Sequence, residues 1–125
     1  RTGAYTRRYP MQTTPRFLQG SYPFEGQGLC KPVPIDPALT YTVPPGTTGQ
    51  ALYFRGGNST DEMIAVLLMR DGQPMRYFPI GARGGTHVQL RVVEDLISNT
   101  QVELHVAAPE GCVGIVIVDL GLLEV

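Results

Sequence analysis

Two histidines on strand-like segments are the residues best suited to metal chemistry. In 86–92 and 101–106 apolar and polar residues alternate strictly, which predicts strands with one face in a core and the other in water. If these strands pair around the 93–99 connection, His87 faces His105 on the solvent side. Zinc needs three or four protein ligands, and no third histidine exists. We therefore expect two ordinary surface histidines and no metal site.

Sulfur ligands are supplied by two cysteines and four methionines. A blue-copper site needs a His and a Met shortly after its Cys, and neither follows Cys112. The methionines are better explained as core or interface filler. Cys30 and Cys112 are a candidate disulfide that would contribute about 4 kcal/mol through chain entropy. Two unrelated thiols are the simpler interpretation.

No residue pattern indicates covalent catalysis or a bound cofactor. Ser21, Ser59 and Ser98 lack the context of a nucleophile elbow. The paired glycines at 56–57 and 84–85 do not precede a helix of a βαβ unit, so a phosphate cradle is not predicted. We expect no catalytic residue, no cofactor and no enzyme.

A sugar-binding platform is the alternative function. An aromatic face can stack on a sugar ring while Arg and Asp side chains bond its hydroxyls. The absence of tryptophan weakens this hypothesis, and the aromatics are more simply explained as core. The residues that would form the platform are Tyr53, Phe54, Arg55, Tyr77 and Phe78.

One modification motif lies in a predicted loop. Asn58, Ser59 and Thr60 match the N-glycosylation acceptor pattern. Such triplets are common by chance and matter only in a secreted eukaryotic protein, so the sequence leaves glycosylation of Asn58 open.

Short strands are the elements that would position these residues. The chain of 125 residues suits one domain. From residue 38 onward, runs of β-branched and aromatic residues alternate with turn-forming clusters. Asp71 and Gly72 predict a hairpin turn. About seven strands favour an all-β antiparallel sandwich, either jelly-roll or immunoglobulin-like. The predicted strands cover 38–43, 50–55, 63–70, 74–80, 86–92, 100–107 and 113–123.

Residues 1–37 are predicted to form an extended arm before a sandwich domain of residues 38–125. Eight of the eleven prolines lie between Pro10 and Pro45, which excludes helix and central strand. Residues 1–35 carry net charge +4 and the remainder −5. The arginines are too dispersed for convincing nucleic-acid binding, so contact with protein is favoured. The candidate partner-contact residues are Arg7, Arg8, Tyr9, Arg16, Phe17, Tyr22 and Phe24.

Two predicted strands, 63–69 and 113–118, are apolar on both faces. A sandwich core accepts only one of those faces, and exposed apolar patches usually mark interfaces. We expect the arm or a second subunit to cover the other face.

The expected function is therefore that of a non-enzymatic structural protein. It would pack into a homo-oligomer or decorate a larger assembly such as a virus-like capsid, with copies of itself or a protein shell as partners. No apolar run is long enough to span a membrane. The compartment stays open, with an extracellular particle or virion as one setting.

Overall fold

The computed structural model describes residues 13–90 and 95–125. Over these residues the chain forms nine strands and no helix, which confirms the predicted all-β class. The strands are β1 (Thr14–Glu25), β2 (Gly28–Pro34), β3 (Thr40–Thr42), β4 (Gly49–Asn58), β5 (Ile64–Arg70), β6 (Gln73–Ile80), β7 (Gly85–Gln89), β8 (Gln101–Ala108) and β9 (Val113–Glu124).

Two antiparallel sheets pack face to face as a β-sandwich. The first sheet has the order β1-β9-β4-β7. The second has the order β2-β8-β5-β6, and the short β3 also pairs with β8. Strand pairs are nested along the chain: β1 with β9, β2 with β8, β4 with β7, and β5 with β6. The first and last strands are therefore neighbours in one sheet.

The core lies between the two sheets, because every second side chain of each long strand points inward. Phe54 of β4 and Phe78 of β6 are both buried, and their rings stack with centroids 4.2 Å apart. Burying a side chain of this size contributes about 1.5–3 kcal/mol. Further large and fully buried side chains of this core are Leu39, Ile64, Leu68, Ile80, Leu96, Leu104, Leu120 and Leu122.

The predicted hairpin is confirmed. β5 and β6 pair through a turn at Asp71 and Gly72, whose φ angles of 49° and 80° fit the left-handed region that a tight hairpin turn needs. Asp71 Oδ1 also accepts a hydrogen bond of 2.9 Å from the backbone N–H of Gln101. β6 is an edge strand, as Pro79 predicts.

The leading third of the chain differs from the prediction. β1 pairs with β9 along its whole length, and β2 lies beside β8. Both are edge strands, which tolerate proline. The prediction of an extended segment is confirmed for 14–25 and 28–34, but the prediction of an arm apart from the sandwich is wrong for these residues. Residues 1–12 lie outside the described residues, and for them the arm stays a prediction.

The two strands with apolar residues on both faces have different surroundings. On the outer side of β5, Leu67 and Met69 are only 1% and 6% exposed and cluster with Ala107. On the outer side of β9, Ile115 and Ile117 are 41% and 54% exposed. The surplus apolar face of β5 is thus buried, whereas that of β9 is in contact with solvent.

Candidate functional site

An apolar stripe runs along the outer face of the first sheet. It consists of Val113, Ile115 and Ile117, which are 69%, 41% and 54% exposed, and is called the β9 stripe below. Ile117 lies between Ser21 of β1 and Gly57 of β4. Because both neighbours are small, neither side chain can cover the isoleucine. Ile117 is therefore exposed although β9 is a central strand.

A polar cluster continues the same face beyond the β9 stripe. Asp119 accepts a hydrogen bond of 3.0 Å from the Tyr53 hydroxyl and one of 2.6 Å from Arg55 Nη2. The Arg55 guanidinium lies over the Tyr53 ring, 5.5 Å from its centroid. The Tyr53 ring in turn lies where a side chain at Gly121 would be, since a Cβ there would approach it to 2.1 Å. Asp119 and Arg55 thus neutralise each other.

The pKa shifts in this cluster follow from the same contacts. The hydrogen bond and the charge of Asp119 raise the pKa of Arg55. Burial, followed by the hydrogen bond to Asp119, raises the pKa of the Tyr53 hydroxyl. Both shifts favour the protonated form, in which each side chain donates its hydrogen bond to Asp119. These bonds fix the positions of Tyr53 and Arg55 relative to Asp119.

A second polar cluster joins the two sheets at the end where β1 begins. Glu124, the last residue of β9, accepts hydrogen bonds from Arg16 Nε of β1 at 3.0 Å and from the Tyr41 hydroxyl of β3. These bonds, from Tyr41 first and Arg16 second, lower the pKa of the Glu124 carboxyl. Burial and the bond to Glu124 raise the pKa of Tyr41. The cluster fixes β1 and β3 to the end of β9.

The predicted partner-contact residues on β1 lie on two different faces of the strand, because side chains alternate along it. Phe17 points outward and is 52% exposed. Tyr22 packs against the core from a half-buried position. Phe24 is a core residue and has no surface to offer a partner, which corrects its assignment. Arg16 is held by Glu124. Of the remaining predicted contacts, Arg7, Arg8 and Tyr9 lie outside the described residues.

The two histidines do not face each other, because the strand pairing on which that arrangement depended is not formed. His87 lies on β7, which pairs with β4 in the first sheet, whereas His105 lies on β8 in the second. The reason is that the chain crosses between sheets after β7 and does not return as a hairpin. His105 Nε2 lies 3.0 Å from Glu103 Oε1. Within 13–90 and 95–125, no group of three or more His, Cys, Asp or Glu side chains could hold a metal ion.

The candidate disulfide is not formed in the structure. Cys30 and Cys112 are free thiols. Cys30 is exposed on β2, while Cys112 is partly buried against the core. The simpler interpretation of two unrelated thiols agrees with this arrangement.

The predicted sugar platform is split between different parts of the molecule. Phe54 and Phe78 are buried and stack on each other inside the core. Tyr53 and Arg55 lie on the outer face of the first sheet, while Tyr77 is on the second sheet and is 63% exposed. These five side chains therefore do not share one surface.

Asn58 of the glycosylation motif has a structural role. Its Nδ2 donates to the carbonyl oxygens of Glu62 at 2.8 Å and Gly81 at 3.1 Å. Its Oδ1 accepts from the backbone N–H and the hydroxyl of Thr60, both at 2.9 Å. Because Asn58 is 6% exposed, a glycan on Nδ2 is incompatible with this fold.

Sequence reasoning did not identify the two carboxylate clusters. Asp119 and Glu124 are the two charged residues in the long apolar segment of β9. This contrast is the feature of the sequence that could have drawn attention to them. Their partners cannot be found this way, because Arg55 precedes Asp119 by 64 residues and Arg16 precedes Glu124 by 108.

No protein-family model matches the chain, and no curated protein matches it. Among the described residues there is also no helix of the length and hydropathy needed to span a membrane. The function is therefore argued from the outer face of the first sheet.

Proposed function

We propose that this chain is a non-enzymatic structural subunit that packs into a homo-oligomer, alone or as part of a larger shell such as a virus-like capsid. The observation that carries the proposal is the β9 stripe, where Val113, Ile115 and Ile117 are exposed on the outer face of the first sheet. Full burial of a side chain of this size contributes about 1.5–3 kcal/mol, and a partner would gain part of that amount at each of these partly exposed residues. Contiguous apolar surface of this kind marks protein interfaces.

The arrangement of the stripe and its neighbours supports a protein partner. The stripe is apolar, and the glycine and serine that flank Ile117 leave its side chain accessible. Arg55 and Asp119 beside the stripe already neutralise each other within the chain. A partner therefore gains apolar burial without having to neutralise this pair. Interfaces with an apolar centre and a polar rim have this composition.

The proposed fold type is a jelly roll. The nested pairing of β1 with β9, β2 with β8, β4 with β7 and β5 with β6 supports it. Double-sheet jelly rolls of eight strands occur in viral capsid and lectin domains. A fold does not determine a function, so the assembly proposal depends on the stripe and not on this likeness.

The test compares solution mass between variants by sedimentation velocity over a range of concentrations. The double variant Ile115→Thr, Ile117→Thr keeps β-branched side chains in the strand but removes most of the apolar surface. We expect the wild type to associate and the double variant to associate at least about tenfold more weakly, since tenfold corresponds to only about 1.4 kcal/mol.

The matched control is Ile97→Thr. Ile97 is 71% exposed and lies outside both sheets, so this substitution removes a similar apolar group from another surface. We expect the control to associate like the wild type. A wild type that stays monomeric, or a double variant with unchanged association, would contradict the proposal.

A further inference from the structure

The outer edge of β1 offers backbone groups for pairing with another strand. Within the described part of the chain, β1 has a neighbour on one side only, which is β9. The orientation of its backbone follows from Ile115 of β9. The N–H of Ile115 donates to Ser59 Oγ at 2.8 Å and its carbonyl accepts from the N–H of Ser59 at 3.1 Å. Both groups of Ile115 therefore point away from β1.

This orientation identifies which residues of β1 face outward. Ile115 lies opposite Pro23, and directly opposed residues in an antiparallel pair exchange both hydrogen bonds or neither. Pro23 therefore directs its backbone away from β9. The register of β1 with β9 is continuous, so Phe17, Gln19 and Ser21 share this outward orientation. Even-numbered residues of β1 should then form their backbone hydrogen bonds with β9. Gly26, just after the strand, follows this pattern, because its N–H donates to the Cys112 carbonyl at 2.7 Å.

Prolines limit the outward edge on both sides. Pro15 and Pro23 have no N–H, so neither can donate to an added strand. Between them, Phe17, Gln19 and Ser21 each offer an outward N–H and carbonyl. The two prolines are equally far from Gln19 along the strand. This symmetry selects a partner, because an antiparallel copy of β1 centred on Gln19 places each proline opposite a proline.

We propose that β1 is a two-fold interface, at which β1 of a second copy of this chain pairs antiparallel with Gln19 opposite Gln19. The proposal rests on the proposed homo-oligomer and assigns it a second contact, distinct from the β9 stripe. Pairing Phe17 with Ser21 and Gln19 with Gln19 gives about six backbone hydrogen bonds between the chains. The first sheets of two copies then form one continuous sheet.

The side chains of β1 fit this register. On the inner side, Leu18 lies opposite Gly20, so a large side chain faces the residue that has none. Arg16 lies opposite Tyr22, an arrangement that permits a cation–π contact. The stretch 16–22 contains no charge other than Arg16, so no like charges oppose each other.

The first test uses proline as a probe of outward N–H groups. Gln19→Pro removes the N–H donor at the centre of the outward edge. It removes no hydrogen bond to β9, because the backbone N–H of Gln19 points away from that strand. Pro15 and Pro23 already occupy equivalent positions of β1. The matched control is Glu25→Pro, at another outward position but beyond Pro23. We expect Gln19→Pro to lower the solution mass to half while the chain stays folded, and Glu25→Pro to leave the mass unchanged.

The second test measures the register and does not depend on Gln19→Pro folding. With Gln19 opposite Gln19, the two Cα atoms are about 5.5 Å apart, which permits a disulfide. Two copies of Ser21 would be separated by about 13 Å, the length of about four residues along the strands. We expect Gln19→Cys to form an interchain disulfide under mild oxidation and Ser21→Cys not to do so. Peptide mapping distinguishes this bridge from any formed by Cys30 or Cys112.

The outcomes separate this proposal from that of the β9 stripe. An interchain bridge at Gln19→Cys in the Ile115→Thr, Ile117→Thr background supports the β1 interface even if the stripe has no role. A mass unaffected by Gln19→Pro, or bridging by Ser21→Cys as efficient as by Gln19→Cys, would overturn the β1 interface. The stripe proposal would survive either result. A wild type that is monomeric at all concentrations would overturn both.

Discussion

Glu124 shows how a single carboxylate can connect three strands. It accepts hydrogen bonds from Arg16 of β1 and from Tyr41 of β3. The first sheet contains β1 and β9, while β3 belongs to the second. Because Glu124 is 6% exposed, its charge depends on these donors for solvation. The carboxylate thus ties both sheets together at the end where β1 begins.

The first prediction concerns acid stability. The pKa of Glu124 is lowered in the folded state from the ordinary value of 4.5, mainly by the hydrogen bond from Tyr41. A depressed carboxyl pKa stabilises the fold above the unfolded pKa, and that stability is lost as the pH falls through the folded value. Tyr41→Phe should cost about 1.5–3 kcal/mol at neutral pH, because a hydrogen bond to a charged group is removed.

The difference between wild type and Tyr41→Phe should therefore shrink as the pH falls below 4.5, the ordinary value for Glu124. Chemical denaturation of both proteins from neutral pH down to about pH 3 measures this difference. Tyr77→Phe is the control, since Tyr77 is 63% exposed and its hydroxyl is not part of the cluster. If the difference in unfolding free energy between wild type and Tyr41→Phe stays constant as the pH falls, Glu124 is not the titrating group.

The β5–β6 hairpin depends on the backbone conformation of its two turn residues. Asp71 and Gly72 both adopt positive φ angles, which match the right-handed twist of the two strands. The space beside Gly72 is open, because a Cβ at this position would have no contact within 4 Å. Any cost of a larger residue at this position therefore comes from the backbone alone.

The second prediction compares two glycines with equally open surroundings. Gly72→Ala should destabilise the fold by about 1–2 kcal/mol, because alanine disfavours a left-handed conformation. Gly81→Ala should have a smaller effect, since Gly81 is equally open but is not among the glycines with positive φ. Urea denaturation of both variants measures the difference. Equal losses of stability would show that the φ angle of Gly72 is not the cause.

Strands from residue 38 onward could be predicted because their signals are local. Alternation with a period of two and turn residues such as Asp71-Gly72 place these elements close to their observed bounds. β1 and β2 are absent from the prediction because both contain prolines. Proline excludes only central strands, however, and both elements are edges. The sequence does contain one indication that β1 is a strand. Leu18, Tyr22 and Phe24 point inward and alternate with residues that point outward.

Pairing between distant strands could not be predicted from the local pattern. His87 and His105 lie on strands that alternate as expected but belong to different sheets. Alternation shows that one face of a strand is buried and does not show which strand lies beside it. The nested pairing requires β1 and β9, at opposite ends of the chain, to meet. The polar clusters of Asp119 and Glu124 depend on such long-range pairing and could not be predicted without it.

The third prediction tests whether the leading third of the chain is part of the folded body. Phe17 and Phe24 lie on the same strand, but Phe24 is in the core whereas Phe17 is 52% exposed. Phe24→Ala should cost about 3–5 kcal/mol, since it removes a buried aromatic and leaves a cavity. Phe17→Ala should cost less than about 1 kcal/mol, as for other surface positions.

Equilibrium denaturation monitored by the signal of the whole protein distinguishes these outcomes. A detachable arm would make both substitutions nearly neutral, because the sandwich would unfold independently of it. A large loss with Phe24→Ala alone would show that the edge strand and the rest of the sandwich unfold as one cooperative unit. Since β1 contributes Phe24 to the core and offers its free edge through Gln19, assembly at that edge would stabilise the whole body by mass action.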